Sequence, residues 1–368
     1  MKTADMTFMN LNGTHYRVGE DLGRWVLSRP DLLQRSIIPP NAYPQDKLNS
    51  IKALLDRYCT GVNEEIQGFA DTLQVSDGQA MYYAATYLER GCSAMAALPS
   101  KTETGHTLMA RNYDFTDEIE ELCFVYSAIG NGYRHIGSLL NIFGRCDGMN
   151  EHGLAVCITS NGIPVGNFEG GRKPGVDGFM FWAVVRGILE QCKNVDEAIA
   201  WAMEVPIGFN INLMLADGSG EIGLLQCMDG HKAYVTASDG DATDHLAVTN
   251  HVVLPDIKPY ETELLDNSIV RRALIEEMFA AHERVSNQNL KQVLSKPYPE
   301  GLCCHYYPIF FGTLRSMIFD ATERCVDIAF GSPCANEWQR FAVQPLVERV
   351  CSIRMPIEQA PEEFFKVL

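Results

Sequence analysis

Arg90-Gly91-Cys92-Ser93-Ala94-Met95-Ala96-Ala97-Leu98 is where the texture of this 368-residue chain changes. Upstream, residues 18–27, 47–73 and 77–89 carry helical periodicity, the last entered through Ser76 as N-cap. Downstream the runs are short and β-like, at residues 93–98, 106–112, 122–128 and 154–159. Residues 179–192 and 195–205 read as a helical pair, the second capped by Asn194. Strands return at 210–216, 222–228 and 233–237, helices at 261–284 and 287–294, and strands again at 313–319 and 325–330. Blocks of strands and blocks of helices, joined by hairpin-length turns, predict antiparallel sheets layered with helices rather than a parallel alternation. The boundary at 90–92 divides a helical segment, 1–91, from a larger mixed segment, 92–368.

Composition narrows the function. With 30 Lys and Arg against 47 Asp and Glu, the net charge is −17, which repels phosphate backbones and anionic membranes. Neither nucleic acid nor a membrane is an expected partner. The densest apolar run, residues 179–185, is cut by Arg186 and is too short to span a bilayer. Twelve cysteines are too sparse for a disulfide scaffold and contain no CxxC pair. Residues 1–12 hold one Lys and no long apolar core, so they do not read as a secretory signal, and a reducing cytoplasm is expected. Residues 161–178, rich in Gly and Pro, read as a surface excursion or a substrate-side lid.

A cysteine is more often a small buried hydrophobe than a nucleophile. Cys92 has a context the others lack. Folding residues 93–98 and 106–112 antiparallel about the turn 99–105 places Cys92 opposite Arg111-Asn112-Tyr113-Asp114. A guanidinium beside a thiol favours the thiolate; the plainer alternative is an exposed Arg111–Asp114 ion pair at a strand end. Gly91, without a Cβ, leaves its carbonyl open to that thiol, or simply ends the preceding helix. Attack would shift the acyl group from nitrogen to sulfur, and hydrolysis would free Cys92 as a new N-terminus. One residue would then hold both nucleophile and base.

Gly91-Cys92-Ser93, Ala110-Arg111-Asn112-Tyr113-Asp114-Phe115, Gly148-Met149-Asn150-Glu151-His152-Gly153-Leu154 and Val248-Thr249-Asn250 occur in that order. Together they resemble the choloylglycine hydrolase and penicillin acyltransferase superfamily of N-terminal nucleophile hydrolases. The long segment before Cys92, with Gly13-Thr14-His15-Tyr16-Arg17-Val18-Gly19, Cys304-His305 and Thr313-Leu314-Arg315-Ser316-Met317-Ile318, resembles the acyltransferase branch. The resemblance implies a four-layer αββα sandwich, an α+β fold, made as a precursor and cut between Gly91 and Cys92. Residues 1–91 would stay docked as an α-chain beside a β-chain 92–368, the two forming one structural domain and an α/β heterodimer; a further homo-oligomer stays open. Cys92 would be the nucleophile, Arg111 and Asp114 would flank the thiol and the new amine, and Asn250 would donate to the oxyanion. A second donor would come from Ser160 or Asn161. Arg271 would reach the site, with a solvated Arg271–Arg272 pair as the alternative. The substrate would be a small linear amide, with acyl transfer from an acyl-CoA donor to a small amine also open, and no metal or organic cofactor is implied. A non-catalytic small-molecule binding protein on the same fold is the rival reading.

Two further motifs read as structural. Cys303-Cys304-His305 suggests a metal, but adjacent cysteines do not easily share one zinc and no second ligand pair stands at finger spacing. Gly218-Ser219-Gly220 after Asp217 reads as a hairpin turn rather than a phosphate cradle.

Overall fold

A computed structural model describes residues 1–85, 92–162, 175–238 and 244–368. The strand Cys92–Ala97 is buried along its whole length. Cys92, Ala94 and Ala96 join one apolar cluster, while Met95 and Ala97 join another. The neighbouring strands repeat the alternation: Met109, Met317 and Phe319 face the first cluster, and Leu108, Ala110 and Ile318 the second. Side chains of period two with apolar groups on both faces require a layer on each side of the sheet.

Among the described residues one sheet has nine strands. Their order is His231–Thr236, Ile222–Met228, Ile211–Ala216, Ala155–Ser160, Gly144–Asn150, His135–Leu140, Cys123–Ile129, Lys2–Gly13 and Arg349–Met355. The seven-stranded sheet runs His245–Val248, Cys92–Ala97, Leu108–Phe115, Phe311–Asp320, Cys325–Phe330 and Gln339–Ala342, with the short His305–Tyr306 strand paired to Phe311–Asp320. Lys2–Gly13 runs parallel to Cys123–Ile129, and the other pairings are antiparallel. The sheets pack face to face. Helices Phe181–Gln191 and Val195–Glu204 cover the outer face of the nine-stranded sheet, and Asp266–Ala280 and Asn287–Ser295 cover the other. The expected α+β, αββα architecture is the observed one.

Three expectations need correction. Residues 1–91 are not wholly helical, because Lys2–Gly13 is a strand between Cys123–Ile129 and Arg349–Met355. The helix expected over 47–73 is two, Gln45–Tyr58 and Val62–Leu73, broken at Gly61, which takes φ +90° with its Cα against the His15 ring. In the described part of the helix expected over 77–89, the chain forms a 3₁₀ turn, Asp77–Gln79, entered through Ser76, and then helix Met81–Ala85. Residues 86–91, including Gly91 of the expected cleavage site, and 163–174 of the Gly/Pro-rich stretch lie outside the described residues. No helix among the described residues is long and apolar enough to cross a membrane.

The N-terminal helices are tied to the rest by packing and by charge. His15–Leu27 crosses Val62–Leu73 so closely that a Cβ on Gly19 would fall 1.9 Å from the Glu65 carbonyl oxygen. That contact fixes Glu65, whose carboxylate accepts two bonds from Arg186 on helix Phe181–Gln191, at 2.9 and 2.7 Å. Both side chains are buried. Burial pushes the Glu65 carboxyl up, but Arg186 and His15 outweigh it and hold it at about 2 against an ordinary 4.5. A carboxylate depressed in this way adds stability that is complete above pH 4.5 and lost as pH falls towards 2. Glu65→Gln, which strands part of the Arg186 charge, is expected to cost about 3 kcal/mol at neutral pH. Its deficit against wild type should shrink on acidification below pH 4.5, read by chemical denaturation across pH.

Candidate active site

The hairpin sets the register: Cys92 stands opposite Tyr113, Ser93 opposite Asn112 and Ala94 opposite Arg111. Cys92, Arg111 and Tyr113 therefore share the face turned to the nine-stranded sheet, and Ser93, Asn112 and Asp114 the face turned to the helices. On the inner face Arg111 Nη2 donates to Cys92 Sγ at 2.6 Å. Both residues are fully buried, which removes the exposed ion-pair alternative.

Arg111 is itself held from across the sandwich. Its Nη1 donates to Asp147 Oδ2 at 3.0 Å and to the Cys146 carbonyl at 3.1 Å. Arg315 Nε donates to the same Asp147 oxygen at 3.0 Å, and its guanidinium lies 3.9 Å from the Tyr113 ring centre. Burial pushes the Asp147 carboxyl up, yet Arg315 and Arg111 together hold it below its ordinary range.

Asp114 occupies the other face. A bulge between Thr313 and Arg315 pairs Thr313 with Asp114 and Arg315 with Tyr113, so two residues that would share a face serve opposite ones. Thr313 Oγ1 donates to Asp114 Oδ1 at 2.7 Å, while Asp114 Oδ2 is buried with no hydrogen-bond partner among the described residues. Burial raises the Asp114 carboxyl, opposed chiefly by Arg271.

Arg271, on the first turns of helix Asp266–Ala280, is fully buried, whereas Arg272 points outward. Its Nη1 donates to the Cys92 carbonyl at 3.3 Å and to Ser93 Oγ at 2.8 Å. Its Nη2 donates to Asn250 Oδ1 at 2.6 Å and to Asn267 Oδ1 at 2.8 Å. Asn250 Nδ2 in turn donates to the Ser160 carbonyl at 2.9 Å. Cys92, Arg111, Asn250, Ser160 and Arg271 thus form one hydrogen-bonded group, and Asp114 feels it through the charge of Arg271. Asn161 does not join it: its amide donates to Asn212 at 2.8 Å, inside the sheet.

The thiol departs from expectation. Burial pushes Cys92 up to about 11, although Arg111 pulls it down. Desolvation is the larger effect and the cation the smaller.

The family model for acyl-coenzyme A:6-aminopenicillanic acid acyl-transferase matches residues 100–335, well over half of the chain. The chain belongs to this family. The matched span holds Arg111, Asp114, Asp147, Ser160, Asn250, Arg271 and Arg315, and begins after Cys92. Solved structures with similarity include a Caenorhabditis elegans ortholog of N-acylethanolamine-hydrolyzing acid amidase, at 15% identity and a TM-score of 0.43 over 63% of this chain and 93% of that one. A mutant conjugated bile acid hydrolase from Clostridium perfringens has 12% identity and a TM-score of 0.43 over 74% and 99%. Penicillin V acylase from Agrobacterium tumefaciens has 16% identity and a TM-score of 0.37 over 65% and 83%. No curated protein matches the sequence.

Asp147, Arg315, Thr313 and Asn267 were not identified as site residues from sequence. Their signal was chemical: a carboxylate and a guanidinium inside strands Gly144–Asn150 and Phe311–Asp320 must find partners when buried.

Proposed function

We propose that this chain is an autoprocessed N-terminal-cysteine amidase or acyltransferase acting on linear amides. The observation that carries the reading is the Cys92 thiol held 2.6 Å from Arg111 at the start of its strand, immediately after Gly91. In processing, Cys92 Sγ attacks the Gly91 carbonyl and the Gly91–Cys92 C–N bond breaks, its nitrogen taking the thiol proton. Water then hydrolyses the thioester, leaving a Gly91 carboxylate and a free Cys92 α-amine. That amine, with an ordinary pKa near 7.7–8.0, can take the thiol proton. Asp114 Oδ2, buried with no hydrogen-bond partner among the described residues, is suited to receive the ammonium.

In turnover the Cys92 thiolate adds to the substrate carbonyl. Asn250 Nδ2 donates to the oxyanion, with Arg271 fixing Asn250 through its Oδ1. Collapse expels the amine, which takes the Cys92 ammonium proton, and water or a second small amine then resolves the thioester. A cavity of about 340 Å³ beside Tyr113, lined by Met81, Tyr82, Phe115, Ile142, Phe143 and Trp182, suits an apolar acyl group.

The test is turnover of N-acyl amino acids, bile-salt conjugates and penicillins, read by mass spectrometry with and without an amine acceptor and with acyl-CoA donors. Asn250→Ala is expected to lower kcat by about 10²–10³-fold with the fold intact by circular dichroism; an unchanged kcat would take Asn250 away from the reacting atoms. The complete burial of Cys92 favours one second reading, a binding protein that keeps the fold without the reaction. It predicts that Cys92 resists electrophiles even in cleaved protein.

A further inference from the structure

Cys303-Cys304-His305 is left unused by the chemistry above, and the fold rearranges it. Cys304 turns into a separate apolar cluster with Tyr306, Phe311 and Phe364. Its place is taken by Cys334, distant in sequence, in the turn after strand Cys325–Phe330. Cys303 Sγ lies 3.2 Å from His305 Nε2 and 3.9 Å from Cys334 Sγ, and the three atoms are all within 4.8 Å of one another.

These separations fit a tetrahedral metal. Two thiolates at about 2.3 Å from zinc stand about 3.8 Å apart, and a thiolate and an imidazole nitrogen about 3.6 Å apart. The other ring nitrogen, His305 Nδ1, lies 3.2 Å from Glu358 Oε1, while Nε2 faces Cys303 Sγ and, at 2.7 Å, Ser332 Oγ, a hydroxyl the ion would displace from Nε2. Two sulfurs and an imidazole select zinc over magnesium or calcium. Cys303 and His305 are buried while Cys334 is exposed, so an ion can enter from the Cys334 side.

We infer that Cys303, His305 and Cys334 form a zinc site, distinct from the Cys92 centre. Binding releases two thiol protons and forms two Zn–S bonds and one Zn–N bond, with water as the fourth ligand. Zinc there would clamp the short strand His305–Tyr306 to the turn that carries Cys334. The clamp adjoins the Cys92 centre through Cys304, whose backbone N–H donates to Thr313 Oγ1, the hydroxyl that donates to Asp114.

The experiment uses the full chain, reduced, stripped with chelator and titrated with zinc chloride. One zinc per chain is expected after desalting, together with zinc-dependent protection of Cys303 and Cys334 from alkylation, mapped by peptide mass. Cobalt in place of zinc should give a thiolate-to-metal charge-transfer band. Cys334→Ser, at an exposed position, should abolish the band and lower zinc affinity by at least about tenfold, whereas Cys304→Ser should keep both. Zinc bound equally by wild type and Cys334→Ser would overturn the site. So would a reduced wild-type chain that takes up no zinc, or one isolated only with a Cys303–Cys334 disulfide, about 2 Da lighter, that binds none even after reduction.

Discussion

Replacing Cys92 by alanine is expected to leave one 41.0 kDa chain where two fragments are expected of the wild type, and to lower amide turnover by on the order of 10⁵-fold. Both effects follow from one atom. Without Sγ the proposed nucleophile that follows Gly91 in the sequence is gone, so no free amine is expected. Without the amine there is no base beside the substrate. Burial pushes the Cys92 thiol up to about 11 in the uncut chain, against the pull of Arg111. On the proposed reading, cleavage would place an ionisable amine on the same residue. Cys92→Ser separates the two roles: a hydroxyl is a weaker nucleophile, so slow cleavage with little turnover is expected. Intact mass and an amide assay on the same preparations decide the matter. A wild-type chain that stays whole and turns over no amide would sink the processing reading.

How much of this was legible beforehand depends on how local the determining contacts are. The Cys92 hairpin was readable because its two strands and the turn at 99–105 lie within a short stretch, and the register then follows from pairing geometry. Strand Lys2–Gly13 was not, because its partners come from Cys123–Ile129 and from Arg349–Met355 at the far end of the chain. Arg271 reads equally well as a site or a solvent residue, since a helix face does not reveal which layer covers it; Asn267, one turn earlier, helps hold it inward. The sign of the thiol shift is not legible from neighbouring charges, which register Arg111 and not desolvation, the larger effect. Cys334 could not be joined to Cys303 and His305 from spacing, since only the sheet brings them together.

Asp147→Asn is expected to destabilise the protein by about 3–5 kcal/mol and lower Tm by roughly 10 °C. Asp147 is fully buried and answers two guanidiniums, Arg111 and Arg315, through a single oxygen. Its other oxygen accepts the Ser138 backbone N–H, a bond asparagine can keep, so the variant isolates the charge. The folded pKa of Asp147 lies below its ordinary 3.8, so its contribution is complete above that value and lost as pH falls below it. The deficit of the variant should therefore be constant near neutrality and narrow only in acid, where wild type loses the same interaction. A uniform deficit at all pH values would mean that shape, not charge, is what matters. A third chain discriminates structure from chemistry. Arg111→Met, Asp147→Leu and Arg315→Met together replace the buried ions with apolar groups of similar size, an exchange that can restore stability. Recovered Tm with processing still blocked would assign Arg111 to the reaction at Cys92, whereas recovered Tm with normal cleavage would leave it only a buried ion held by its partners.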